Sequence, residues 1–252
     1  MICFNNRSVL VCGASSGIGL SITTQLIKDK APKKGFATFR QSSDLAALKL
    51  LQIQYPDILS LEPLEATIEE DYKTLSLGMT ELDAVINCIG VLHDQHGLDP
   101  ERKIEEFDIA QHLKVYTTNT VPSFLLAKHL KKQLRQSPQP VFVSLSAKVG
   151  SVSDNRMGGW HSYRVSKAAL NMVIKNLSIE FGRFNQKSLF VGPHRGTTET
   201  ELSRPFLSGA KKRYTVHSCD DTAGNLLQVI EQLEPGKDNG SFYSWNGEQI
   251  PW

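Results

Sequence analysis

Residues 8–40, SVLVCGASSGIGLSITTQLIKDKAPKKGFATFR, narrow the folds open to this chain more than any other stretch. An apolar run at 8–14 passes through clustered glycines into a helical pattern at 17–30, and then into a second apolar run at 35–40. Strand, helix and strand in that order make a βαβ unit, and the helix returns the chain so that the two strands run parallel. The alternation continues with strands expected at 58–62 (ILSLE), 82–90 (LDAVINCIG), 140–147 (PVFVSLSA), 187–192 (KSLFVG) and 241–246 (SFYSWN), and helices between them. Runs such as AVINCI are apolar without strict alternation, as a parallel sheet covered on both faces requires. The expected class is therefore α/β, a doubly wound parallel sheet of the Rossmann type flanked by helices.

No internal repeat, low-complexity tract or linker composition divides the 252 residues, so one domain over 1–252 is expected. Polar segments at 93–104 and 193–212 read as long loops, where binding elements tend to lie. Lys and Arg total 28 against 26 Asp and Glu, a net charge of +2 that argues against a nucleic-acid or membrane surface. Cys3, Cys12, Cys88 and Cys219 are scattered without a CxxC pair and the seven histidines show no ligand spacing, so neither a metal site nor a disulfide framework is expected. The start lacks a signal-peptide pattern and no long apolar run occurs, which leads to the expectation of a cytoplasmic protein.

The glycines Gly13, Gly17 and Gly19 form G-x3-G-x-G between the first strand and the first helix. Small residues there let the backbone approach a pyrophosphate, which meets the free N–H groups at the positive end of the helix; Ser15 and Ser16 add hydroxyls. The second strand ends in Arg40, followed by Gln41, Ser42 and Ser43, with no acid until Asp44. A free ribose diol calls for an acid at that place and a 2′-phosphate for a cation, so NADP(H) is expected ahead of NAD(H).

Tyr163 and Lys167 stand four residues apart in YRVSK, on one face of an expected helix. A phenol that exchanges protons near neutrality needs a nearby cation, because phenols titrate near 10. A unit charge about 4 Å away at an effective dielectric near 20 supplies about 4 kcal/mol. The pair makes sense as catalytic machinery only beside a bound cofactor.

GASSGIG, NCIG, NTVPSFLLAKHL, SAKVGSVSDNRMGGWHSYRVSKAALNM and GTTETELSRPF, in that order, resemble the short-chain dehydrogenase/reductase family and within it the C-factor-like branch, across almost the whole chain. The resemblance implies an oxidoreductase that moves a hydride between nicotinamide and a small-molecule carbonyl or alcohol. Tyr163 would be its general acid/base, Lys167 would hold the nicotinamide ribose, and Asn119 would hold a water linking that lysine to solvent. The family's Ser-Ser pair falls on Ser146-Ala147, so Ser146 is the expected donor to the substrate oxygen, with Ser144 as fallback. The resemblance also assigns Gly13, Ser15, Ser16, Gly17, Ile18, Gly19, Arg40, Glu62, Asn87, Cys88, Ile89, Gly90, Gly196, Thr198 and Thr200 to cofactor contacts. It puts Leu202, Phe206 and Leu207 beside the substrate and suggests a homodimer or homotetramer. The family's Pro-Gly after the sixth strand is Arg195-Gly196 here, and a dinucleotide-binding regulatory protein of the C-factor type is the alternative function.

Overall fold

The computed structural model describes residues 1–210 and 215–252. Seven strands form one parallel sheet: β1 (Ser8–Cys12), β2 (Lys34–Phe39), β3 (Leu59–Pro63), β4 (Ala84–Asn87), β5 (Val141–Ser144), β6 (Leu189–His194) and β9 (Phe242–Ser244), in the order β3-β2-β1-β4-β5-β6-β9. Every pairing is parallel, for example Leu10 with Phe36 on one side and with Val85 on the other. All seven expected strands are present.

Strand side chains alternate between two apolar layers. Val9, Val11, Ile86, Val143 and Val191 face α1 (Gly17–Asp29), α2 (Ala46–Gln54) and α8 (Cys219–Gln232). Their neighbours Leu10, Val85, Phe142 and Phe190 face α3 (Glu69–Leu77), α4 (Ile109–His129), α5 (Lys131–Gln136) and α6 (His161–Gly182). Phe142 and Phe190 stack across adjacent strands with ring centroids 5.2 Å apart. With helices on both faces, neither side of the central strands meets water, which accounts for their unbroken apolar sequence.

The 193–212 segment is more ordered than its polar composition suggests. Thr197–Thr198 (β7) pairs with Val216–His217 (β8) in a small separate parallel ribbon, and a 3-10 turn at Arg204–Phe206 leads into a short helix, α7 (Leu207–Ala210). Two-residue strands carry no periodicity of their own; the pairing exists because the fold brings 197 and 216 together. The end of the expected loop, at 211–212, lies outside the described residues. Among the described residues, no helix is long and apolar enough to cross a membrane.

Candidate active site

Because the main sheet is parallel, the segments following β1, β2, β4, β5 and β6 all emerge at one edge, and the candidate residues gather there. The first of them build a glycine-lined cradle at the start of α1. Gly13 has φ +73° and leaves β1 with its N–H 3.2 Å from Thr38 Oγ1. A side chain on Gly19 would collide with the Gly13 carbonyl, so the first turn of α1 can lie against the loop only as glycine. Ser16 caps α1 without a side-chain hydrogen bond, and the first turn holds no acid. That donor set fits an anionic pyrophosphate. Thr200, from beyond β6, closes on Gly17 from the other side, with a Cβ on that glycine 3.6 Å from Thr200 Cγ2.

Arg40 is exposed directly after β2 and, among the described residues, forms no ion pair. Its carbonyl accepts from Ser43 N–H at 2.9 Å, and Ser43 Oγ lies 3.1 Å from Ser15 Oγ, which ties this turn to the glycine loop. Glu62, at the end of β3, accepts from Ser60 Oγ at 2.5 Å.

Tyr163 and Lys167 lie in the first two turns of α6, both almost wholly buried. Lys167 Nζ donates to the Leu145 carbonyl at 2.9 Å and sits 5.9 Å from the centre of the Tyr163 ring. Burial, reinforced by the nearby Arg195 charge and opposed by Cys88, lowers the lysine to about 7. Gly90, after β4, brings the backbone within reach of both Asn119 and Lys167: a Cβ there would lie 3.3 Å from Asn119 Oδ1 and 3.6 Å from Lys167 Nζ. Asn119 accepts from Val91 N–H at 2.7 Å and donates to Val91 O at 2.9 Å and Ser166 Oγ at 3.0 Å. Its side chain thereby joins the β4 exit to α6. Pro122, one turn further along α4, has no N–H to offer the Thr118 carbonyl, and the helix continues past it.

Both candidate serines have hydroxyls with partners inside the protein. Ser146 Oγ is buried and donates to Asn171 Oδ1 at 2.5 Å, while Ala147 is the residue that packs into the apolar cluster with Tyr163. Consecutive residues of an extended segment face opposite ways, and here the hydroxyl takes the inner side. Ser144 is also turned inward, its hydroxyl 2.8 Å from Ser123 Oγ. Asn87 donates to the same Ser123 at 3.1 Å and accepts from Ile89 N–H at 3.1 Å, so its amide braces the turn after β4. Thr198 is likewise committed, with Thr222 Oγ1 2.9 Å away on α8. Gly196 (φ +72°) lies against Trp245.

Beside Tyr163 the site has an apolar cover. Leu92, Leu98, Val115 and Ala147 surround the phenol ring, with Leu202, Phe206 and Trp160 packed against them; Leu207 is buried outside this cluster. Trp160 meets Tyr163 and Phe206 edge-on, with centroids 6.2 and 5.2 Å away, and His93 meets Phe206 at 5.7 Å. Beyond the tryptophan's position three residues before the tyrosine, His93, in the polar 93–104 segment, and Trp160, in GGWHSY, give no sign of this packing in the sequence alone.

Comparison with known proteins decides the family. The model of the short chain dehydrogenase family matches residues 7–211. The chain belongs to that family. It is an NAD(P)-dependent oxidoreductase. As a short-chain dehydrogenase it is 29% identical over 245 residues to the 1-hydroxy-2-glutathionyl-2-methyl-3-butene dehydrogenase of Rhodococcus, covering 97% of this chain and 99% of that one. The C-signal protein of Myxococcus xanthus is 26% identical over 147 residues, 58% of this chain and 82% of its own. Among solved structures, the NADPH-bound carbonyl reductase from chicken fatty liver superposes with a TM-score of 0.83 at 27% identity, over 99% of this chain and 95% of the other.

Proposed function

We propose that this protein is an NADP(H)-dependent oxidoreductase that interconverts a carbonyl compound and its alcohol, with Tyr163 as general acid/base. The observation that carries the reading is the burial of Tyr163 and Lys167 together at the sheet edge where the glycine cradle opens. The chicken carbonyl reductase, bound to NADPH, and the Rhodococcus dehydrogenase, named for a 1-hydroxy compound, support the same chemistry.

Gly13, Ser15, Ser16, Gly17, Ile18 and Gly19 would hold the pyrophosphate, Arg40 the 2′-phosphate, Lys167 the nicotinamide ribose and Thr200 the nicotinamide end. Cys88, Gly90 and Glu62 would line the adenosine side. The cofactor supplies the hydride when bound. Tyr163 gives its phenol proton to the carbonyl oxygen as that oxygen becomes an alkoxide, and takes it back in the reverse direction. Lys167, its Nζ 5.9 Å from the centre of the Tyr163 ring, would place a positive charge beside the phenol as it gives up its proton. Asn119 ties the β4 exit to α6, the helix that carries both groups. Leu92, Leu98, Trp160 and Phe206 exclude water and favour an apolar substituent on the carbonyl.

A second reading, a dinucleotide-binding regulatory protein with little turnover, draws support from Ala147 and the inward hydroxyl of Ser146. NADPH absorbance followed across a panel of aldehydes and ketones separates the two. Reduction that disappears in Tyr163→Phe, with NADPH binding retained, supports the enzyme. NADPH binding without reduction of any panel member favours the regulator.

A further inference from the structure

Three successive residues before α6 adopt left-handed backbone: Gly158 (φ +64°), Gly159 (φ +63°) and Trp160 (φ +50°, ψ +42°). The glycines accept this freely, but a tryptophan there costs about 1–2 kcal/mol, so surrounding structure must hold it. Arg164 binds one side of the turn, donating from Nε to the Gly158 and Gly159 carbonyls at 3.1 and 2.9 Å. Glu101 binds the other. Its main-chain carbonyl accepts from Trp160 N–H at 2.5 Å, and its carboxylate accepts from Ser162 N–H at 3.1 Å and from the Ser162 hydroxyl. His112 Nδ1, on α4, approaches the same hydroxyl at 3.1 Å.

Glu101 is only 5% exposed, and among the described residues it has no cationic partner. A buried carboxylate requires compensation. Here it comes from the free N–H groups and positive end of the 22-residue α6. One residue therefore grips the backbone on both sides of His161, through Trp160 and Ser162. The next residue is Tyr163.

We propose that Glu101 is a positioning residue that sets the Tyr163 phenol and the Trp160 ring in their working arrangement. The proposal rests on the reading of Tyr163 as general acid/base. Glu101 also carries the end of the segment that contributes Leu92 and Leu98 to the apolar cover, so it couples that cover to the start of the catalytic helix.

The test uses the full chain with Glu101→Ala and Glu101→Gln, the second keeping one acceptor oxygen. Glu101→Ala is expected to slow single-turnover carbonyl reduction about 10²-fold and to raise substrate KM, with the NADPH dissociation constant unchanged, because small misplacement of a reacting group costs this much. Glu101→Gln should recover most of the rate. Wild-type rate and KM in Glu101→Ala overturn the proposal. So does loss of NADPH affinity and rate together, unrelieved in Glu101→Gln, since that describes general damage.

Two further arms cover the other contingencies. If Glu101→Ala does not fold, Ser162→Ala removes the hydroxyl contacts to Glu101 and His112 and keeps the Ser162 N–H bond, and an unchanged rate there overturns the proposal. Independently of turnover, Trp160 emission can be followed alone in a chain carrying Trp245→Phe and Trp252→Phe. A shift in Glu101→Ala that is absent in Glu101→Gln supports the positioning role, and an unchanged spectrum refutes it. A panel without turnover, or wild-type chemistry in Tyr163→Phe, rejects the acid/base reading and leaves the emission arm to decide on Glu101.

Discussion

In the proposed mechanism Lys167 faces two demands that pull apart: its ammonium serves a phenol and a ribose, yet it is buried where charge is disfavoured. Its folded value of about 7 lies below the ordinary lysine value of 10.5. Between those values the unfolded chain binds more protons than the folded one, so this group makes stability rise with pH through that window. Lys167→Met should therefore raise the melting temperature of the cofactor-free protein most below pH 7, by the equivalent of a few kcal/mol, with the gain shrinking toward pH 10. A gain independent of pH would mean that the fold does not lower the lysine as described. The serine expectation can be tested at the same scale. Ser146→Ala should lower single-turnover reduction less than tenfold, because its hydroxyl already belongs to Asn171, and should chiefly reduce stability by about 1–3 kcal/mol as that buried acceptor loses its donor. Ala147→Ser, which puts a hydroxyl into the Tyr163 cluster, should increase the rate; paired kinetics and thermal melts of both variants check this.

At the scale of elements, two helix beginnings have opposite designs. Ser218 opens α8 with a capping box in which Ser218 and Asp221 satisfy each other's groups, whereas Ser16 opens α1 with no side-chain cap. Ser218→Ala should thus cost about 1 kcal/mol in a denaturation curve and leave NADPH affinity unchanged. Gly19→Ala should abolish NADPH binding, measured by fluorescence titration, because the added carbon meets the Gly13 carbonyl. The contrast was half legible from sequence. Each of the seven main strands announced itself by an apolar run, and the glycine spacing marked the cradle, because both depend on local composition. The β7–β8 ribbon, the inward turn of Ser146 and the grip of Glu101 on α6 depend on residues brought together across long stretches of chain, and no local pattern encodes them. Trp160 was visible in GGWHSY, but its left-handed backbone follows from contacts with Glu101.

For the whole molecule, the exposed Arg40 turn leads to a comparison of ligands. NADPH should bind more tightly than NADH, and Arg40→Ala should weaken NADPH much more than NADH at fixed salt; equal losses would reduce Arg40 to a general charge. Bound NADPH should also raise the melting temperature in proportion to the logarithm of its concentration. The uniform direction of the main-sheet strands has a practical consequence. The proposed catalytic and cofactor residues collect where the strands end, and Cys3, exposed between the buried Ile2 and Phe4, lies just before β1 begins, at the opposite rim. Cys12 is buried and pushed up to about 12, Cys88 is pushed up further by burial, and Cys219 donates its thiol to the Glu199 carbonyl. A maleimide-coated bead or electrode should therefore seize the molecule by Cys3 and hold it with the reactive rim facing the bulk solution, a ready-made tether for immobilised use.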